Sequence, residues 1–239
     1  MNGNDSQTLQ QLAGQTATSV ADVFDILQAI DDALPNTDGL KWFVKIYVMV
    51  TTGVKNNPAV TAFLDPAWTD RLDVVFANFF FSALAAFLRG LPTPSSWQAL
   101  FEARNRTGID RIQFALAGMN AHINHDLALA LLQVDQERQI TPNLQSPQHT
   151  DFENVNGIIE SALPKALEVL ASDQLGVLAE DTGKIGQLLA IWSVRAARDS
   201  AWDFADHLRM LNGPARQVAL TIQDRITGAL GRSLLLPLP

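Results

Sequence analysis

Apolar residues recur at three- and four-residue intervals along most of the chain, the spacing that turns one face of a helix into a core. Val20, Val23, Phe24, Leu27, Ile30 and Leu34 follow Ser19, a residue type suited to cap the helix they predict. Pro35 and Gly39 punctuate before a second helix, Leu40 to about Lys55, with Trp42, Phe43, Ile46, Tyr47 and Val50. Its β-branched run, Tyr47 to Thr52, has strand character, but no second strand signal exists to pair with it, so helix is preferred. Asp65-Pro66 is a helix start: a carboxylate at the cap, then proline at the first helical position. The helix after it presents Trp68, Leu72, Phe76, Phe79, Phe80, Ala83 and Phe87 on one face. That stripe reads first as core packing and second as the wall of a hydrophobic substrate pocket.

After the break at 90–94 (GLPTP), Ser95 or Ser96 caps a shorter helix carrying Trp97, Leu100 and Phe101. Next comes the stretch around which the chain is organised, Asp110 to Val134. It predicts one long helix, apolar almost all round, and such a helix belongs at the centre of a bundle. Yet its middle carries Asn120, His122, Asn124, His125 and Asp126. At about 100° per residue, Gly118, His122, His125, Asp126 and Leu129 share one broad face, with His122 and Asp126 one turn apart. Asn120 and Asn124 form a second such pair on roughly the opposite side. Met119, Ile123, Leu127 and Ala130 fill the arc between as core contacts. Gly118 costs up to ~1 kcal/mol against alanine there, which predicts a close approach by a backbone or a ligand.

Gln139 to His149 is the longest expected loop, a connector or a candidate lid. Thr150 and Glu153 make a capping box for a helix with Phe152, Val155, Ile158, Ile159 and Leu163, kinked or restarted at Pro164. A second long helix is expected from Lys184 to Leu211, and Asn212-Gly213-Pro214 separates it from a last helix, Ala215 to Gly231. On the Lys184–Leu211 helix Trp192, Arg195, Asp199 and Trp202 share a face bordered by Arg198, with Arg195 and Asp199 spaced as an ion pair. Its arginines are candidates to meet Asp126, Asp151 or an anionic substrate. The apolar tail, 234–239 (LLLPLP), is expected to dock.

The predicted fold is therefore all-α: a single bundle of about seven to nine helices around a buried central one. Residues 1–18 are expected to be a flexible tail and 19–239 one domain. Composition narrows the function. A net charge of −8 over 239 residues, with no basic stripe, argues against nucleic acid. Without cysteine there is no disulfide framework, thiol catalysis or thiolate metal site. The N-terminus lacks the features of a secretory signal, and the longest uncharged stretch, Val74 to Leu88, is shorter than the ~20 residues of a spanning helix. A cytoplasmic protein without a membrane span is expected, with a homo-oligomer open beside a monomer.

No P-loop, G-x-S-x-G or G-x-G-x-x-G sequence is present, nor His-Glu-x-x-His or another complete metal-ligand signature. His122 beside Asp126 has the pairing of an oriented general base. The same pair is also a common structural device.

The run Gly118-Met119-Asn120-Ala121-His122-Ile123-Asn124-His125-Asp126-Leu127 resembles the signature of a bacterial helical family known only as a domain of unknown function. Asp65-Pro66-x-Trp68, Asp151-Phe152-x-x-Val155-Asn156 and Trp192-x-x-Arg195-x-x-Arg198-x-x-Ala201-Trp202 resemble it too. The resemblance spans about residues 40–210, implies an all-helical domain and brings no reaction with it. The residues themselves point first to a cofactor-independent lyase, cyclase or isomerase acting on a small hydrophobic molecule. In that reading His122 is the acid/base and Asp126 its orienter, with His125 beside them. Asn120, Asn124, Asp151 and Arg198 position the substrate, against Phe76, Phe80 and Trp202. The rivals are a non-enzymatic binder of an apolar ligand, a metal-dependent enzyme using His122, His125 and Asp126, and a purely structural polar core.

Overall fold

The structure is a computed structural model and describes the backbone of residues 3–56, 62–172 and 193–237. Among these residues every regular element is helical, as the 3.6-residue periodicity demands. Helix α1 (Gly3–Ala13) lies where a loose tail was expected: Leu9 and Ala13 are buried, and the helix packs on α2 (Val20–Ala33) and α4 (Pro66–Leu88). Leu9, Leu12 and Ala13 have the spacing of one apolar face, easily overlooked among their polar neighbours.

Several helix starts follow the local chemistry read from the sequence. Ser19 and Asp22 form a reciprocal capping box on α2, and Asp65 accepts from the Trp68 amide at the start of α4. Helix α3 (Gly39–Lys55) is capped by Asp38, a buried carboxylate that also pairs with the buried Arg104. Helix α5 (Ser95–Ala103) differs from expectation. Neither serine caps it; the carboxylate of Asp224, from the other end of the chain, accepts from the backbone N–H groups of Ser95 and Ser96 at 2.8 and 2.9 Å.

The central helix is three segments on one axis: α6 (Arg111–Ala121), a π-helical turn over His122–Asp126, and α7 (Leu127–Arg138). Nearly every side chain of α6 is buried, and α3, α4 and α5 pack round the three segments together with the later helices Val194–Met210 and Gly213–Leu234. Gly118 admits Phe43 of α3: a Cβ there would overlap the ring. The close approach is real, and it is made by a side chain.

Helix α8 (Pro147–Ser172) starts three residues before the expected Thr150 and continues through Pro164. The connector before it shortens accordingly. Of the expected Lys184–Leu211 helix, α9 (Val194–Met210) is described, and Trp192 lies outside the described residues. Helix α10 (Gly213–Leu234) follows after Asn212, which caps it. Of the apolar tail, residues up to 237 are described: Leu235 is buried, Leu236 is exposed, and the Gln113 side chain donates to the carbonyls of Leu234 and Leu236. Helix α4 is long and apolar enough to cross a membrane by length and composition, and half of its most apolar window is buried inside the bundle.

Candidate functional site

The π-helical turn widens the backbone at the place where the polar residues of the central helix gather. Such turns are rare, and functional sites are where they are often found. His122 Nδ1 lies 3.1 Å from Asp126 Oδ2, and Trp97 of α5 donates its indole N–H to the same oxygen at 2.9 Å. The imidazole lies flat on Phe76, with ring centroids 3.5 Å apart and planes 8° apart. Phe43, Tyr47, Phe80 and Trp97 complete an aromatic box around it. Burial among these rings holds the His122 pKa well below its ordinary value. Burial also lifts Asp126 well above the carboxylate range, against the opposing hydrogen bond from Trp97. Both shifts favour the uncharged forms, as a low-dielectric site requires. His122 Nε2 is buried without a hydrogen-bond partner among the described residues, and so is the Tyr47 hydroxyl, whose ring centroid is 4.8 Å away.

The asparagines serve a different contact. Asn120 donates to the Thr227 carbonyl of α10, Asn124 donates to Asn120, and Gln223 of α10 donates to the Asn124 carbonyl. This row docks α10 on the central helix. His125 is also buried; its Nδ1 has no hydrogen-bond partner among the described residues and lies 3.9 Å from Asp224, and burial lowers its pKa. Among the described residues no three His, Asp or Glu side chains gather where they could hold a metal ion.

Next to the aromatic box, between α3, α4, α8 and α9, lies a cavity of about 260 Å³. Its walls are mostly apolar, with Val50, Val54, Phe63, Val155 and Ile159 among them. Tyr47 and Phe76, which touch His122 on one side, line this cavity on the other, and Leu127 closes the wall beside them. Four acidic or basic residues line it, Lys55, Asp70, Asp73 and Arg198, and the last two stand out. Asp73 of α4 is partly exposed and has no hydrogen-bond partner among the described residues. Burial, with help from nearby Asp70, pushes its pKa up to about 6, while Arg198 pulls the other way. Arg198 of α9 is buried; its Nε–H donates to the Asn156 side chain and an Nη2–H to the Phe152 carbonyl.

Of the candidate site residues read from sequence, Phe76 and Arg198 line the cavity, as do Trp68 and Leu72 of the same stripe. His122 and Asp126 stand behind its wall, and Phe80 is fully buried in the aromatic box. Asp151 accepts from the backbone N–H groups of Leu64 and Asp65, fixing the entry to α4. Trp202 packs between Trp68, His149 and Phe152. The expected Arg195–Asp199 ion pair is not the one formed, because Arg195 reaches Glu153 and Glu160 of α8 instead.

Sequence reasoning missed Asp73. The signal was there: it shares the helical face of Phe76 and Phe80, seven residues before the latter, as a lone carboxylate in an aromatic stripe.

The fold and site define a helical-bundle domain with a polar, π-turned central helix and an adjoining ligand-sized cavity. The chain belongs to the DUF5995 family, a family of unknown function, whose model matches residues 20–237. No curated protein and no solved structure matches the chain.

Proposed function

We propose that the chain is a small-molecule enzyme that performs acid/base chemistry on a largely apolar substrate in the cavity between α3, α4, α8 and α9. The observation that carries this reading is Asp73, an unpartnered carboxyl on an apolar wall with its pKa pushed up to about 6. General acids and bases work best with a pKa near the working pH, and perturbed titratable groups in clefts are functional-site candidates. Asp73 therefore takes the role of proton carrier, with Arg198 as the nearby cation. His122 and Asp126 act from behind the wall: the imidazole stack holds Phe76, and Tyr47 sits between the pair and the cavity. A carboxyl with a raised pKa and a cation near it suits proton-transfer reactions of the lyase, cyclase or isomerase type.

The test screens small apolar compounds by NMR in heavy water against wild type and Asp73→Asn. One or more compounds should bind and take up deuterium with wild type only. If none binds, or if Asp73→Asn labels the bound compounds as fast as wild type, the reading falls. A second reading, a non-enzymatic binding protein for an apolar ligand, is favoured by one observation. Asp126 is hydrogen-bonded to Trp97 and His122 and is sealed from the cavity. Compounds that bind and return unlabelled would select it.

A further inference from the structure

Arg198 is 5% exposed, and a charge buried that deeply is normally paired. The other arginine buried to this degree among the described residues, Arg104, is paired directly with the carboxylate of Asp38. Arg198 is not paired in this way. Its acceptors, the Asn156 side-chain oxygen and the Phe152 carbonyl, are both neutral, and its guanidinium lies 4.2 Å from the Phe152 ring centroid. Three nearby carboxylates act on its charge without pairing with it: Glu153 bonds to Arg195, Asp199 accepts from Asn156, and Asp73 makes no ion pair with it. A guanidinium carries five N–H donors in a planar fork. Those on Nη1 have no partner among the described residues, and Arg198 lines the cavity.

We infer that the cavity takes a small apolar carboxylic acid as its anion, with the ligand carboxylate held by the free Nη1–H edge of Arg198. The inference rests on reading the cavity as a ligand site and adds the class of ligand. An anion supplies the missing partner in the geometry guanidinium recognises best. A neutral ligand would supply no charged partner within hydrogen-bond reach, and a cationic one would add a like charge beside it. Asp73 is compatible with such a ligand when protonated, since its O–H can then donate to the second carboxylate oxygen. Size sets the rest. A cavity of about 150 Å³ holds benzene, so about 260 Å³ suits a carboxylate on one aromatic ring with a short linker.

Hydrocinnamate, its primary amide and the corresponding primary amine are titrated calorimetrically into the full chain at about pH 5.5, where model carboxylates of this kind are ionised. Hydrocinnamate should bind about tenfold or more tighter than the amide, with the amine weakest. Arg198→Met should erase that preference while still binding the amide. Should Arg198→Met fail to fold, Arg198→Lys takes its place, with the preference reduced because the planar fork is lost. Val50→Trp, which fills the cavity, should abolish binding of all three. Equal or tighter binding of the amide overturns the inference and leaves the ligand site standing, as does a carboxylate preference that survives Arg198→Met, or Arg198→Lys undiminished. Preference that survives Val50→Trp places the acid elsewhere and overturns it too. No binding by any of the three up to about 10 mM, the scale of a few kcal/mol, sinks the ligand class and the ligand site together. Hydrocinnamate bound as expected, with no compound in the screen labelled, would leave the inference intact and remove the enzyme reading instead.

Discussion

Phe76 lies flat on the imidazole of His122, centroids 3.5 Å apart, and the same phenyl group lines the cavity that holds Asp73. One side chain thus joins the polar centre of the bundle to its ligand-sized space. The histidine contributes packing and orientation at this wall, which gives its removal a structural cost as well as a functional one.

His122→Ala should destabilise the protein by ~2–4 kcal/mol, since it opens a gap among packed rings and takes a partner from Asp126. Chemical denaturation of the two proteins measures it. A change below about 0.5 kcal/mol, typical of surface sites, would show that the aromatic box does not depend on the imidazole.

Phe80→Ala tests the other side of that box. Phe80 is fully buried against Phe43, Phe81 and Trp97. Large-to-small changes at such sites cost ~3–5 kcal/mol. An unchanged denaturant midpoint would remove this stripe from the core.

Gly118→Ala sets two effects against each other. Helix propensity favours alanine by up to ~1 kcal/mol, but the new methyl group would overlap the Phe43 ring. Phe43 is itself hemmed in by Phe80, Trp97 and His122, so it has little room to yield. Overpacking of this kind costs ~1–3 kcal/mol, and net destabilisation is expected. A variant with a raised melting temperature would show that α3 can shift to make room.

These cases mark what the sequence makes legible. Where a feature depends on spacing within one helix, it can be read: the His122–Asp126 pair, the Asn120–Asn124 pair, the Ser19 and Asp65 caps and the tight approach at Gly118 all follow from local geometry. Contacts made across the bundle cannot be read this way. Asp224 caps α5 from a helix far along the chain, Trp97 reaches Asp126 from another element, and Arg195 prefers α8 to its own neighbour Asp199. Periodicity says that a side chain is buried, and which partner it finds is decided by how helices dock. For the same reason Arg198 was visible as a candidate while its lack of a carboxylate was not.

Asp224→Ala should therefore weaken the protein although Asp224 lies on a largely exposed helix. The change removes the acceptor for two N–H groups at the start of α5, and the loss of a cap costs about 1–2 kcal/mol. Hydrogen exchange at the amides of Ser95 and Ser96 reads the effect directly. Equal protection in both proteins would mean that another acceptor replaces the carboxylate.

Asp73 gives a stability signature that depends on pH. Its pKa is about 6 in the folded chain against an ordinary value of 3.8, because burial and Asp70 disfavour its charge. The native state thus holds this proton more tightly than the unfolded state does. Its contribution to stability is fully present below the unfolded value, falls as pH rises through the folded value, and is level above it. A shift of this size corresponds to ~3 kcal/mol, one pKa unit being about 1.4 kcal/mol. Asn has nearly the shape of the protonated acid and does not titrate. Asp73→Asn should therefore match wild type at acid pH and exceed its stability by ~3 kcal/mol at neutral pH and above. Denaturant midpoints of both proteins across the pH range isolate this one group, because the other titrations cancel in the difference. A gap that stays constant with pH, or wild type becoming the more stable protein as pH rises, would show that Asp73 is ionised and well solvated in the native state, and with that the cavity would lose its acid/base residue.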